Sequence, residues 1–371
     1  MSNQKAVAIL GSTGAVGQQA LEVIRSFPDK LKVIGLGSGS NYELLSQQVQ
    51  EFSPPLVSFP FEVTGQDLLT MKELAAHPDV EVLVVATAGT AGLKPTLAAL
   101  EAGKTVILSS KEIMVMAGEF IIETAKAHGA KIIPVDGALS VIWQCLKGEE
   151  GNISELEIMT TASPHLWRTS AEIRSITWTD VQDHSKRRAG QKTHIDLATM
   201  MHEGMQVIEA HHLFGVPYDR IKVTVHPEEV VTAVVGFIDG SKKSILTSPS
   251  IRFFMQYAFS HPERWPNEHL STLDLRQIRK LTFKKLEDGI FPCFDLALET
   301  AKLGDTYPAV MNAANETAVR LFMHQQIGFT EIPRIIRAAL QSHRPVHNPA
   351  LEDILAADEW SREFAVQQVA V

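Results

Sequence analysis

Ala6-Val7-Ala8-Ile9-Leu10-Gly11-Ser12-Thr13-Gly14-Ala15-Val16-Gly17 decides the fold at the start of the chain. An apolar run passes straight into spaced glycines and then into a helical pattern. Gly11 permits a tight turn, Gly14 lets backbone N–H groups approach a pyrophosphate, and Gly17 lets the helix pack on the strand. A helix N-terminus at this point favours an anion. The stretch reads as a dinucleotide cradle formed by Gly11, Ser12, Thr13, Gly14, Ala15 and Val16. Taken alone it also fits an ordinary strand-to-helix turn.

The residues that follow decide between the two. Strand-like runs recur at Leu31–Leu36, Val80–Ala86, Thr105–Leu108 and Lys131–Val135, separated by helical spacing at Leu93–Ala102 and Glu119–His128. Continuous apolar runs suit parallel strands covered on both faces, so the reading is α/β with an N-terminal doubly wound, Rossmann-like parallel sheet. Ligands of such sheets sit at the C-terminal ends of the strands.

With 371 residues the chain has room for two or three domains, and a hydrophobic fraction of 45% is ordinary for a soluble protein. A net charge of −9 argues against nucleic acid or an anionic membrane as partner. Cys145 and Cys293 stand far apart and outside any C-x-x-C spacing, so both read as core thiols in a reducing, cytoplasmic setting. No secretory h-region and no membrane-length apolar run is expected.

Along the chain, the polar connector Gly148-Glu149-Glu150-Gly151-Asn152 closes a first domain over 1–148. Strand patterns at Leu156–Met159, Ile221–Val225 and Val230–Ile238, a hairpin turn at Asp239-Gly240, and one helix over Ala198–Phe214 predict a central α+β catalytic domain over 149–265, with a lid loop at 183–192. A connection over 266–290 leads to a C-terminal helical bundle over 291–371, where Thr330 and Asn348 read as helix caps.

Candidate chemistry lies in Ser110-Lys111-Glu112 and Val135-Asp136-Gly137-Ala138, each just past a strand, in Thr161 through Arg168, and in His184 through Glu209. Lys111 reads either as a solvated loop lysine or as a group that pairs with a substrate oxygen. Asp136 reads either as a helix cap or as a hard oxygen ligand for a divalent cation.

Taken together, Ile9-Leu10-Gly11-Ser12-Thr13-Gly14, Ala102-Gly103-Lys104-Thr105, Ser110-Lys111-Glu112, Pro134-Val135-Asp136, Ala198-Thr199-Met200-Met201, Ile208-Glu209-Ala210, His226-Pro227 and Asn312-Ala313-Ala314-Asn315-Glu316 resemble, in order and over nearly the whole chain, the 1-deoxy-D-xylulose 5-phosphate reductoisomerases. The resemblance implies an NADPH-binding domain, a catalytic domain with a lid, a C-terminal helical domain and a homodimer. It also implies a reaction in which a divalent metal, Mg²⁺ or Mn²⁺, chelates a hydroxyketone sugar phosphate that is rearranged and reduced.

By the same resemblance the metal is held by an Asp, a Glu two residues later and a Glu on the Ala-Thr-Met-Met helix. Asp136 matches the first, but Ala138 and Gln206 stand at the others. One carboxylate and an amide do not hold such an ion tightly. His202, one turn before Gln206, reads as a nitrogen donor to a softer metal or as a solvent-facing helix residue. Glu209 matches a position that is not a ligand.

Two Ser, an Asn and a Lys hold the substrate phosphate in the family. Ser163 matches the first, while Leu197, His202 and Glu203 replace the rest. A carboxylate at Glu203 repels an anion placed there. In the lid, Arg187 and Ala189 stand for a Trp and a Met, within and beside His184-Ser185-Lys186-Arg187-Arg188. That cation run reads as a solvated loop or as a clamp on an anion in a different pose. His184 and Lys192 match positions flanking the loop, and Thr232 stands for a family histidine.

On the cofactor side, Gly37-Ser38-Gly39-Ser40-Asn41 lacks the acid that binds a ribose 2′-hydroxyl, so Gly39, Ser40 and Asn41 point to NADPH rather than NADH. Ala88 and Gly89, in the run Ala88-Gly89-Thr90-Ala91-Gly92 after the strand Val80–Ala86, are expected to line the nicotinamide side, and Ser110 is a further expected cofactor residue. The sequence thus predicts an NADPH-dependent oxidoreductase acting on an anionic carbonyl compound other than the family's, with Lys111, Asp136, Glu112 and His184 as catalytic residues and little metal dependence. Ser163, Arg187, Lys192, His202, Glu203 and Gln206 are its expected substrate residues. Two alternatives stand beside it: the parent reductoisomerase reaction, and a non-catalytic NADPH-binding regulator.

Overall fold

The computed structural model describes residues 4–60, 68–149, 151–161, 173, 175–183, 190–248, 250–287 and 289–369. The first half of the chain alternates β1 (Lys5–Leu10), α1 (Ala15–Ser26), β2 (Leu31–Gly37), α2 (Tyr42–Phe52), β3 (Leu56–Ser58), α3 (Met71–Ala76), β4 (Val82–Val85), α4 (Leu93–Glu101), β5 (Thr105–Leu108), α5 (Lys111–Ala127), β6 (Lys131–Pro134) and α6 (Gly137–Cys145). Then come β7 (Ile153–Thr160), α7 (Trp178–Asp183), α8 (Gln191–Thr199), α9 (Met201–Phe214), β8 (Ile221–Val225), β9 (Ala233–Phe237), β10 (Lys242–Lys243), α10 (Ile251–Ser260) and β11 (Lys284–Lys285). Four helices finish the chain: α11 (Pro292–Leu303), α12 (Tyr307–Met323), α13 (Glu331–Ser342) and α14 (Leu351–Gln367).

These elements form two compact units, one from 1–113, 119–150 and 244–279, the other from 114–118, 151–243 and 280–371. The division differs from the four segments read along the sequence. Residues 244–265, expected in the central domain, lie in the first unit, the connection over 266–290 is split, and the C-terminal helices join the second unit.

In the first unit six parallel strands run in the order β3-β2-β1-β4-β5-β6. The order reverses beside β1, the point at which such sheets bind ligands. Val7 to Leu10 are wholly buried, as a central strand covered on both faces requires. Residues 244–279 belong here because α10 packs on α1 and α6. Trp143 and Tyr257 meet edge-on at 5.6 Å, and Lys5 Nζ donates to Phe259 O at 2.6 Å. Lys104 is buried, with Nζ donating to His77 O and Val80 O at 2.6 Å each, and burial pushes its ammonium pKa down.

The second unit holds a mixed sheet in the order β10-β9-β7-β8-β11. β7 pairs parallel to β8 and antiparallel to β9. Its Leu156 and Ile158 face inward while Glu155 and Glu157 line the other face, the period of two that one buried face imposes. The strand expected over Val230–Ile238 spans Ala233–Phe237, and ahead of it Glu229 lies at φ 56°. Ile195, Met205 and Ile208 share one core with Val310, Met311, Ala314 and Ile335, which is why the terminal helices are not a unit of their own. A Cβ on Gly204 of α9 would lie 2.4 Å from Ala297 Cβ of α11, so the two helices pack that closely only over glycine.

The single helix expected over Ala198–Phe214 is two helices. Met200 adopts a left-handed conformation (φ 61°) between α8 and α9, at a cost of about 1–2 kcal/mol. Its side chain is fully buried with Val225, Leu286 and Phe291, and burying a Met is worth about 1.5–3 kcal/mol, so packing outweighs strain. Thr330 stands at the N-cap of α13 but makes no side-chain capping bond. Asn348 is not a cap: it lies at φ 48° before Ala350, the N-cap of α14, and its N–H donates to Asp305 Oδ1 at 3.2 Å. Both cysteines are buried and neither is in a disulfide, and burial raises the Cys293 thiol pKa far above its usual range. Among the described residues no helix is long and apolar enough to cross a membrane.

Candidate active site

In the first unit, the turn after β1 has the shape its glycines require. Gly11 lies at φ 80°, and a Cβ there would stand 2.4 Å from Ala86 O. A Cβ on Gly17 would stand 2.2 Å from Gly11 O, so only glycine lets α1 begin this close to the turn. Gly14 is the N-cap of α1 without a side-chain cap, which leaves the first-turn N–H groups, including those of Ala15 and Val16, without intrahelical partners. Thr13 Oγ1 and Ser38 Oγ are 2.8 Å apart, and Gln48 Nε2 donates to Ser12 O at 3.0 Å, fixing the turn against β2 and α2. Ser12 Oγ is buried with no hydrogen-bond partner among the described residues. An uncapped helix start, glycine-only spacing and a buried hydroxyl in need of a partner fit a dinucleotide pyrophosphate.

At the end of β2, Ser38 is buried, and a Cβ on Gly39 would have nothing within 4 Å. Ser40 is exposed. Asn41 Oδ1 accepts the Leu44 N–H at 3.1 Å, so the oxygen of that amide serves α2. Past β4, Ala88 is exposed and Gly89 lies at φ 60°. Ser110 Oγ donates to Gly89 O at 3.3 Å, tying the β4 loop to the start of α5. Thr87, which the sequence reading did not single out, has a buried hydroxyl without a partner among the described residues. The signal was available: a hydroxyl at the C-terminal end of the strand beside β1.

Beyond β5 and β6 stand the expected catalytic groups. Lys111 Nζ lies 3.4 Å from Asp136 Oδ2, with side chains 14% and 17% exposed. Asp136 Oδ1 accepts the Ala138 N–H at 3.2 Å and caps α6, so the cap reading of Asp136 holds alongside the ion pair. Glu112 Oε2 is 3.5 Å from Ser110 Oγ. Ala138, where the resemblance places a metal carboxylate, contributes a buried methyl.

In the second unit, His202, Glu203, Gln206 and Glu209 of α9 are all buried. The solvent-facing reading of His202 is therefore corrected, because packing covers α9 along this stretch. Glu203 Oε1 accepts from Thr160 Oγ1 at 2.8 Å, at the end of β7. Lys192 Nζ lies 2.5 Å from Asp196 Oδ2, whose other oxygen accepts from Asn315 Nδ2 at 2.9 Å. Lys192 thus takes part in a buried network between α8 and α12. Ser163, His184 and Arg187 lie outside the described residues. Among the described residues no group of three or more His, Cys, Asp or Glu is placed to hold a metal ion.

Comparison with known proteins agrees along the length of the chain. Residues 7–68 and 61–118 match the family described as 1-deoxy-D-xylulose 5-phosphate reductoisomerase, 132–214 its C-terminal domain, and 246–364 the DXP reductoisomerase C-terminal domain. The 1-deoxy-D-xylulose 5-phosphate reductoisomerase of Desulforamulus reducens is 40% identical, over 97% of this chain and 98% of that protein. The Zymomonas mobilis reductoisomerase solved with NADPH is 30% identical, with a TM-score of 0.90 over 99% of both chains. A reductoisomerase solved with NADPH, fosmidomycin and magnesium is 31% identical, with a TM-score of 0.92 over 99% of this chain and 98% of that one. Glycine cradle, sheet order and full-length similarity converge, and the chain belongs to the 1-deoxy-D-xylulose 5-phosphate reductoisomerase family of oxidoreductases.

Proposed function

We propose that this protein binds NADPH in the Gly11–Gly17 cradle and uses it to reduce a phosphorylated hydroxyketone, with 1-deoxy-D-xylulose 5-phosphate, the compound in its relatives' names, as the first substrate to test. The observation that carries the reading is the cradle: positions where a Cβ would collide with Gly11 O or Ala86 O are glycine, and a buried Ser12 hydroxyl sits among them. Similarity over the whole length to reductoisomerases, two of them solved with NADPH, supports it. The resemblance supports a homodimer as the working form, and two buried thiols outside any C-x-x-C spacing support a reducing, cytoplasmic setting. Purified protein mixed with NADPH, Mg²⁺ and 1-deoxy-D-xylulose 5-phosphate is expected to consume NADPH, read at 340 nm. Absence of NADPH binding in a fluorescence titration would defeat the reading outright.

A second reading rests on named positions. Ala138 and Gln206 stand where the resemblance puts carboxylates, and Glu203, buried, stands where it puts a phosphate-binding lysine. A buried carboxylate opposes a phosphate at its side by several kcal/mol, on the order of what an unpaired buried charge costs. These positions favour reduction of a different anionic carbonyl compound, without skeletal rearrangement, since a rearrangement intermediate depends most on a chelating cation. NADPH consumption with other hydroxyketones, together with none on 1-deoxy-D-xylulose 5-phosphate, selects this reading. NADPH binding with no turnover on any carbonyl selects a regulator.

A further inference from the structure

We propose that the Lys111 ammonium, held by Asp136, supplies the positive charge for the substrate oxygen that a divalent cation supplies elsewhere in the family, and that this chain holds no such cation at Asp136. The inference rests on the reading of the chain as a carbonyl reductase.

The argument starts from how Asp136 is engaged. One carboxylate oxygen receives the Ala138 N–H at the start of α6, and the other faces the Lys111 ammonium at 3.4 Å. Both side chains are more than four-fifths covered, so the pair interacts in a medium less screened than water. Two residues further on, a buried methyl, Ala138, stands where the resemblance puts a second carboxylate. Mg²⁺ and Mn²⁺ demand several oxygen ligands with enough negative charge to offset dehydration. An ammonium has no such demand, and the Asp136 carboxylate beside it balances its charge.

Its place suits the chemistry. Lys111 is the first residue of α5, three positions past the end of β5 at the C-terminal end of the sheet that carries the cradle, and Ser110 beside it is bonded to the loop after β4. Reducing a carbonyl moves a hydride from the nicotinamide to the carbonyl carbon and the π pair to oxygen, which then takes a proton from water. One carbonyl, one NADPH and one proton become one alcohol and one NADP⁺. A fixed cation aimed at that oxygen stabilises the charge as it develops.

The test separates this claim from the proposed function. The full-length protein with NADPH is titrated with Mn²⁺, and free Mn²⁺ is read by electron paramagnetic resonance. Expected is a free signal that rises in proportion to added metal with no saturable component. Stoichiometric depletion of Mn²⁺ by the unmodified protein, lost in Asp136→Asn, would overturn the inference even if NADPH binds and turns over. With 1-deoxy-D-xylulose 5-phosphate or any other carbonyl found to be reduced, EDTA is expected to leave the rate unchanged. Lys111→Met is expected to lower kcat about a hundredfold or more with NADPH affinity retained. Loss of the rate in EDTA, or a Lys111→Met variant as fast as the parent, would also overturn it.

Discussion

Asn315 Nδ2 donates to Asp196 Oδ1 at 2.9 Å, joining residues 119 positions apart, while Lys192 holds the other oxygen of the same carboxylate. Asp196 and Asn315 are both buried, so this bond forms only when α8 and α12 are docked. Removing one member of a buried charged network costs about 3–5 kcal/mol. Asp196→Ala is expected to lose that much in chemical unfolding. Asp196→Asn, which can keep one bond to Asn315, should lose clearly less.

The cradle gives a second prediction. In Gly17→Ala the new methyl has no room beside Gly11 O, 2.2 Å away, and the Gly11–Gly14 turn must move. Overpacking of this kind costs about 1–3 kcal/mol. A fluorescence titration should show NADPH affinity reduced by about tenfold or more, the equivalent of about 1.4 kcal/mol.

His212 supplies a pH dependence. Its ring lies against Gly118, where a Cβ would come within 2.4 Å of the imidazole, and burial, with His211 beside it, pushes its pKa from 6.5 down to about 4. The unfolded chain takes up this proton near pH 6.5 and the folded chain only near pH 4, so the stability contribution is full above pH 6.5 and is lost as pH falls toward 4. The urea midpoint should fall across that window, and His212→Leu should flatten the decline. Gly118→Ala should destabilise at every pH.

On the outer face of the second sheet, Lys222 and Lys242 hold Glu155 at a pKa of about 2, below its usual 4.5. The linkage runs the same way: the benefit is present above pH 4.5 and disappears as pH drops toward 2. Replacing both lysines by Ala should return the Glu155 carboxyl toward its usual titration in NMR. The pairs are partly exposed and screened, so stability near pH 7 should change by less than about 1 kcal/mol.

Legibility followed the range of the interactions. The parallel sheet, the cradle and the burial of both cysteines were readable because each depends on spacing within a few residues. The break at Met200 was not. Local pattern favours one long helix there, and the cost of the left-handed residue is offset only by its burial with Val225, Leu286 and Phe291. Lys192 read as a substrate residue because it matches a family position flanking the loop. In the structure its ammonium meets Asp196, near in sequence, while the Asn315 that joins the same carboxylate is remote.

By itself, the order of residues determined that a strand, a glycine turn and a helix start meet at Gly11 to Gly17, and that Ala138 and Gln206 offer no charge. Those are properties of side chains and of short-range backbone geometry. Only the tertiary structure decided that Lys111 faces Asp136 across 25 positions, that residues 244–279 return to the first sheet, and that α9 buries its polar stripe. Each depends on packing between segments far apart in the chain, whose favourable burial exists only once the whole unit has closed around it.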